Sequence, residues 1–253
     1  MRTVGLLAAG ILLTCAAGSI GAATASERVT VTPVDLGTLG GTQSKAFAVS
    51  PSGQTVGFSL TAGDAESHAF SWTSTGGMVD LGTFGGTESK AVAVSPGGQV
   101  VGESSDGFFQ LHAFSWTRTG GMLDLGTLGG TYSSASDVNA SGEVVGRSTI
   151  AGDAEYHAFS WTGTGGMTDL GTLGGTFSGA GAVSPSGQIV GQSKIAGDAE
   201  VHAFSLTQAG GMIDLGTLGG TFTIALALNP SGVVVGYSNL RGDAESHATL
   251  WRT

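Results

Sequence analysis

The chain has 253 residues, of which 46 are Gly, five Pro and one Cys, and its formal net charge is −10. Scarce Pro and the lack of a G-X-Y period exclude collagen, 40% hydrophobic residues argue against disorder, and a single Cys cannot build a disulfide framework. Nineteen acids face nine isolated Lys and Arg, which argues against a nucleic-acid or anionic-membrane partner.

The N-terminus reads as a signal peptide over residues 1–25. Arg2 is a minimal positive region, Val4 to Ala17 is apolar, and Ala23-Thr24-Ala25 fits the small-x-small cleavage rule. The apolar stretch is shorter than the roughly 18 residues a span needs. Cleavage would release Cys15 with the signal, leaving an exported protein, extracellular or periplasmic, with no thiol and no membrane insertion. The mature chain, 26–253, is expected to be one domain.

That domain is repetitive. Asp-Leu-Gly begins at Asp35, Asp80, Asp124, Asp169 and Asp214, and the five His residues keep the same beat. The units are about 29–78, 79–122, 123–167, 168–212 and 213–253. In the second unit four strand-like runs follow one another: Met78–Gly82 (a), Lys90–Ser95 (b), Gln99–Ser104 (c) and His112–Thr117 (d). Clusters of Gly, Pro and Ser bound each run, as turns between strands require. Four short strands in about 45 residues is the size of a propeller blade. The sequence therefore predicts an all-β, five-bladed β-propeller.

Loop lengths order the strands. The b–c and d–a connections are hairpin length, and c–d is short. The longest is a–b, Thr83 to Ser89, which makes it the natural crossover between blades. The predicted spatial order is b-c-d-a, with b nearest the axis. An unpaired run a, Val31 to Gly37, opens the repeats, and an unpaired run d, His247 to Arg252, ends them. Their pairing would close the ring and hide its sheet edges. In run d, His68, Phe70 and Trp72 alternate with Ala69 and Ser71. A bulky face thus meets the small face of the next blade.

The run His-Ala-Phe-Ser-Trp, with Ala-Val-Ser-Pro-Ser-Gly-Gln and Val-Gly before it, resembles the bacterial HAF-repeat extracellular proteins. The tripeptide stands at His68, His112, His157 and His202, and the fifth unit departs with His247-Ala248-Thr249. The resemblance spans nearly all of the mature chain. It implies an exported repeat protein and carries no established biochemical activity.

Eight acids form four Asp-x-Glu pairs: Asp64 and Glu66, Asp153 and Glu155, Asp198 and Glu200, Asp243 and Glu245. In a strand-like loop, i and i+2 project to one side, so the pairs could form an acidic binding rim. The alternative is a solvated hairpin loop. Two carboxylates fall short of the six to eight oxygens Ca²⁺ takes, so Ca²⁺ is conceivable but unsupported. No cofactor and no metal site is expected. The Asp of Asp-Leu-Gly reads as a turn residue and the His residues as packing groups. In the second unit the acidic loop is replaced by one containing Phe108 and Phe109, a candidate partner contact if the rings are exposed.

Every candidate acid or base recurs from unit to unit, whereas an active site needs different groups converging on one atom. The expectation is a monomeric, non-catalytic binding or adhesion module for a glycan or surface protein. The alternatives are a structural envelope protein and, less favoured, a polysaccharide-active enzyme.

Overall fold

The computed structural model describes residues 31–252. The expected signal peptide lies outside them. Two units are distinguished, 1–35 and 36–253. Of the first, residues 31–35 are described and form no strand; the blades all belong to the second.

The fold is all-β. Blade 1 comprises β1 (Gly40–Val49), β2 (Thr55–Thr61), β3 (Ser67–Thr73) and β4 (Gly77–Asp80). Blade 2 comprises β5 (Gly85–Val94), β6 (Val100–Asp106), β7 (Leu111–Thr117) and β8 (Gly121–Asp124). Blade 3 comprises β9 (Gly129–Val138), β10 (Val144–Ile150), β11 (Tyr156–Thr162) and β12 (Gly166–Asp169). Blade 4 comprises β13 (Gly174–Val183), β14 (Ile189–Ile195), β15 (Val201–Thr207) and β16 (Gly211–Asp214), and blade 5 comprises β17 (Gly219–Leu228), β18 (Val234–Leu240) and β19 (Ser246–Trp251). Within a blade the strands pair antiparallel in chain order, the b-c-d-a order that the loop lengths imply. Short parallel bridges join blades, as at Ser67–Glu88 and Tyr156–Phe177.

The crossover is shorter than the sequence reading has it. Strand b begins at Gly85, so the Gly-Gly-Thr segment belongs to a strand rather than to a loop. It pairs Gly85 with Asp106 across a bulge before Ser89. The second glycine is needed for space: at Gly41 a Cβ would lie 2.6 Å from the carbonyl oxygens of Leu60 and Thr61. The same holds in strand c, where a Cβ on Gly102 would fall 1.9 Å from the Lys90 carbonyl oxygen. These glycines set how closely b and c approach.

Blades pack bulky face to small face. Val101 and Ala113 of blade 2 bury with Ala135, Val144 and Phe159 of blade 3. Matching clusters join blades 1 and 2, 3 and 4, and 4 and 5. Serine hydroxyls tie each of blades 1 to 3 to the next: the Ala113 amide donates to Ser133 Oγ at 2.8 Å, and that hydroxyl donates to the Gly126 carbonyl at 2.6 Å. The stack has two exposed ends. Ala46 is exposed where Ala91, Ala135, Ala180 and Ala225 are buried, and Val235 is 42% exposed where Val101, Val145 and Val190 are at 0%. The expected run a at Val31–Gly37 forms no strand, because residues 31–38 take no ladder pairing among the described residues.

Candidate binding rim and inter-blade grooves

Each Asp-x-Glu loop is a tight turn after strand c. Its Asp takes a left-handed backbone, φ between 56° and 58° at Asp64, Asp153, Asp198 and Asp243, a conformation Asp tolerates better than most residues. The turn aims the carboxylate at the Gly-Gly-Thr arm of strand b. Asp64 Oδ1 accepts the Thr42 amide at 2.7 Å, and Oδ2 accepts the Thr42 hydroxyl at 2.7 Å. Asp198 and Asp243 repeat both bonds, to Thr176 and Thr221. Asp153 takes the Thr131 amide at 2.7 Å. Together with the Thr149 hydroxyl, which acts most strongly on Asp153, these bonds favour the charged form and hold all four carboxyls below the ordinary carboxylate value.

The Glu of each pair turns elsewhere. Glu66 meets His68 Nε2 at 2.9 Å, while His68 Nδ1 meets both oxygens of Asp80 at 2.9 Å. Glu155 and Asp169 bracket His157 in the same way, and Glu200 and Asp214 bracket His202. Burial works against charge on His202, but its bonds to Glu200 and Asp214 outweigh this and raise its pKa. Asp80 Oδ1 also accepts the Gly82 amide at 2.8 Å, the expected turn role. The two acids of each loop thus serve different neighbours. One clamps strand b and the other orients a histidine. His247 keeps only Glu245, at 3.5 Å, and its side chain is 55% exposed. Among the described residues no group of three or more His, Cys, Asp or Glu could hold a metal ion.

Blade 2 breaks this scheme. Asp106 Oδ1 accepts the amides of Phe108 and Gln110 at 2.7 and 2.9 Å, and Phe109 takes a left-handed φ of 63°. Ser105 Oγ accepts the Glu88 amide at 3.0 Å, as Thr149 Oγ1 accepts the Tyr132 amide in blade 3. The turn holds Phe108 and Phe109 outward, each 84% exposed.

A second feature lies at positions where the units differ. Strand c carries Phe58, Glu103, Arg147, Gln192 and Tyr237 at one register, opposite Lys45, Lys90, Ser134, Gly179 and Ile224 of strand b. In blade 2 the pair is ionic: Lys90 Nζ lies 2.8 Å from Glu103. Burial opposes charge on Glu103, but Lys90, Ser134 and Arg147 outweigh it and lower its pKa. Next to this register, blades 3 and 4 carry aromatic residues. Tyr132 and Tyr156 pack edge to face at 5.6 Å, Phe177 lies 6.2 Å from Tyr156, and the Arg147 guanidinium sits 5.7 and 5.8 Å from the two tyrosine rings. A motif reading passes over these residues because they are what the repeat does not repeat. The signal that finds them is divergence at a few neighbouring repeat positions.

No family model matches this sequence, and no curated protein does. Among solved structures, the chain is similar to TolB from Acinetobacter baumannii, with a TM-score of 0.51 and 16% identity. The match covers 78% of this chain and 51% of that one, so the chain spans about half of that structure's length. The likeness is one of fold: repeated strand-rich sheets arranged as in a β-propeller.

Proposed function

We propose that this chain is an exported, non-catalytic binding module of the HAF-repeat type, presenting exposed loops of one rim to a glycan or a surface protein. The observation that carries the reading is the rigidly held pair Phe108 and Phe109. An exposed apolar pair in an otherwise polar loop costs solvation and marks a contact surface. The non-catalytic reading is supported by the acids: Asp64, Asp153, Asp198 and Asp243 are committed to strand b, and the Glu residues to histidines.

Ring closure belongs to the same reading. Val31 to Gly37 matches Met78 to Gly82 and would add a fourth strand to blade 5, as a monomer. Pro33 falls at the Met78 position. In blade 1, Leu81 donates its amide inward to Ala69, so by alternation the amide at position 78 points outward. A Pro there forfeits no ladder bond and blunts the new edge. The exposed end faces of blades 1 and 5 are also the two halves of the contact that the interior makes four times.

A glycan array and a cation thermal-shift screen on residues 26–253 test the function. Binding lost in Phe108→Ala/Phe109→Ala with the melting temperature unchanged supports the module. Silence throughout favours a structural envelope role, and turnover of a polysaccharide overturns the proposal.

A further inference from the structure

We infer that the groove over strand b of blade 4, flanked by blades 3 and 5, is a saccharide site for hexuronic-acid units, formed by Arg147, Phe177 and Gln192 with Tyr132 and Tyr156 packed against Arg147. The inference rests on the binding-module reading above, but it uses a different surface from Phe108 and Phe109.

Four observations converge. The first is the half-buried aromatic cluster, whose Phe177 lines the groove while Tyr132 and Tyr156 support Arg147. Aromatic faces match the apolar C–H face of a pyranose. The second is Arg147. It is exposed, and in a chain of net charge −10 it forms no ion pair among the described residues. Glu103, the carboxylate that feels its charge, is already paired with Lys90. The planar guanidinium fork is the donor suited to a carboxylate.

The third is Gln192, which lines the same groove as Arg147 and Phe177. Its Oε1 is buried yet accepts no hydrogen bond, and among the described residues it is the one buried side-chain polar atom left so. Such an atom costs free energy unless something donates to it. A turn of the Gln192 side chain into the groove would present this oxygen to a sugar hydroxyl.

The fourth is a pair of glycines that the backbone does not require. Neither Gly179 nor Gly181 has positive φ. A Cβ at Gly179 would meet Phe177 at 3.7 Å and Arg147 at 3.8 Å, ordinary contacts. A Cβ at Gly181 would lie 3.5 Å from its nearest neighbour. Other blades place Lys, Ser or Ile opposite the same strand-c register. The glycines leave a groove of about 380 Å³, within the usual range of small-ligand sites, roughly 300–1,000 Å³.

The ligand this selects has a carboxylate for Arg147, a hydroxyl for Gln192 and a flat C–H face for the rings. Hexagalacturonate is the probe, with cellohexaose as its neutral counterpart. Titration calorimetry on residues 26–253 should show hexagalacturonate binding that weakens at high salt. Arg147→Gln should weaken it about tenfold or more, since a charge-assisted bond is lost. Gly179→Ile, which installs the blade 5 residue, should abolish it with the melting temperature held. No heat from hexagalacturonate, or heat indifferent to both variants, overturns the site. Equal binding of cellohexaose unaffected by Arg147→Gln overturns the acidic class. If array binding instead depends on Phe108 and Phe109 while both groove variants are silent, the groove fails and the module reading stands.

Discussion

The interface between blades 2 and 3 and the free face of blade 5 carry nearly the same residues and meet opposite fates. Val101 and Phe159 are fully buried, while Val235 is 42% and Leu250 50% exposed. Valine follows valine at this position in both blades, so the neighbour decides burial. In a stack of repeats each unit contacts only the next, and stability is a sum of unit and interface contributions. The fifth unit has also drifted where no neighbour constrains it: Leu250 stands on the free face in place of the Ser of the other four units.

The sharpest way to break this contrast is at its buried side. Phe159→Ala should cost about 3–5 kcal/mol, read by urea denaturation, whereas Leu250→Ala on the free face should cost far less. A similar loss at both would show that the interior interface is not special. A finer comparison pairs Val145→Ala with Val235→Ala. The first loses most of the roughly 1.5–3 kcal/mol that burial of a Val side chain supplies, and the second should lose far less. If Val31 to Gly37 closes the ring, Val235→Ala will instead approach Val145→Ala, and deleting residues 26–40 will restore the difference.

The smallest expected effect concerns pH. The Thr176 hydroxyl and amide hold Asp198 below the ordinary value of 3.8. A depressed folded pKa contributes stability above the unfolded value and loses it as pH falls through the folded one. Asp198→Asn should therefore destabilise slightly at neutral pH and not at all well below pH 3.8. Acid titration of the melting temperature checks this, and a constant gap between the two proteins at every pH would refute it. His202 runs the other way. Its raised pKa contributes stability below the ordinary 6.5 that is lost as pH rises through the folded value.

Much of the fold is written in spacing. The period gives the blades and the loop lengths give the strand order. Legibility fails where one residue type has two uses. Gly85-Gly86 reads as loop, yet Gly86 is there because strands b and c come too close for a side chain. The Asp-x-Glu loops read as a rim of paired acids because i and i+2 are neighbours in sequence. Asp64 instead reaches 22 residues back to Thr42, and His68 reaches 12 forward to Asp80. Phe108 and Phe109 stand out because they break a pattern. Tyr132, Arg147, Phe177 and Gln192 do not, because they fill two variable repeat positions on different strands and only the fold brings them together.

The buried serines of strand c have a consequence for how the protein responds to temperature. Ser59, Ser104, Ser148, Ser193 and Ser238 are all fully buried and hydrogen-bonded, beside a core built mainly of Val, Ala and one Phe in each of blades 1 to 4. Exposing apolar surface raises the heat capacity of unfolding, and exposing polar surface lowers it. A core that mixes hydroxyls with small aliphatics therefore has a reduced heat-capacity increment per residue. Its stability curve is broad and shallow, holding similar values across a wide span of temperature rather than peaking sharply at one.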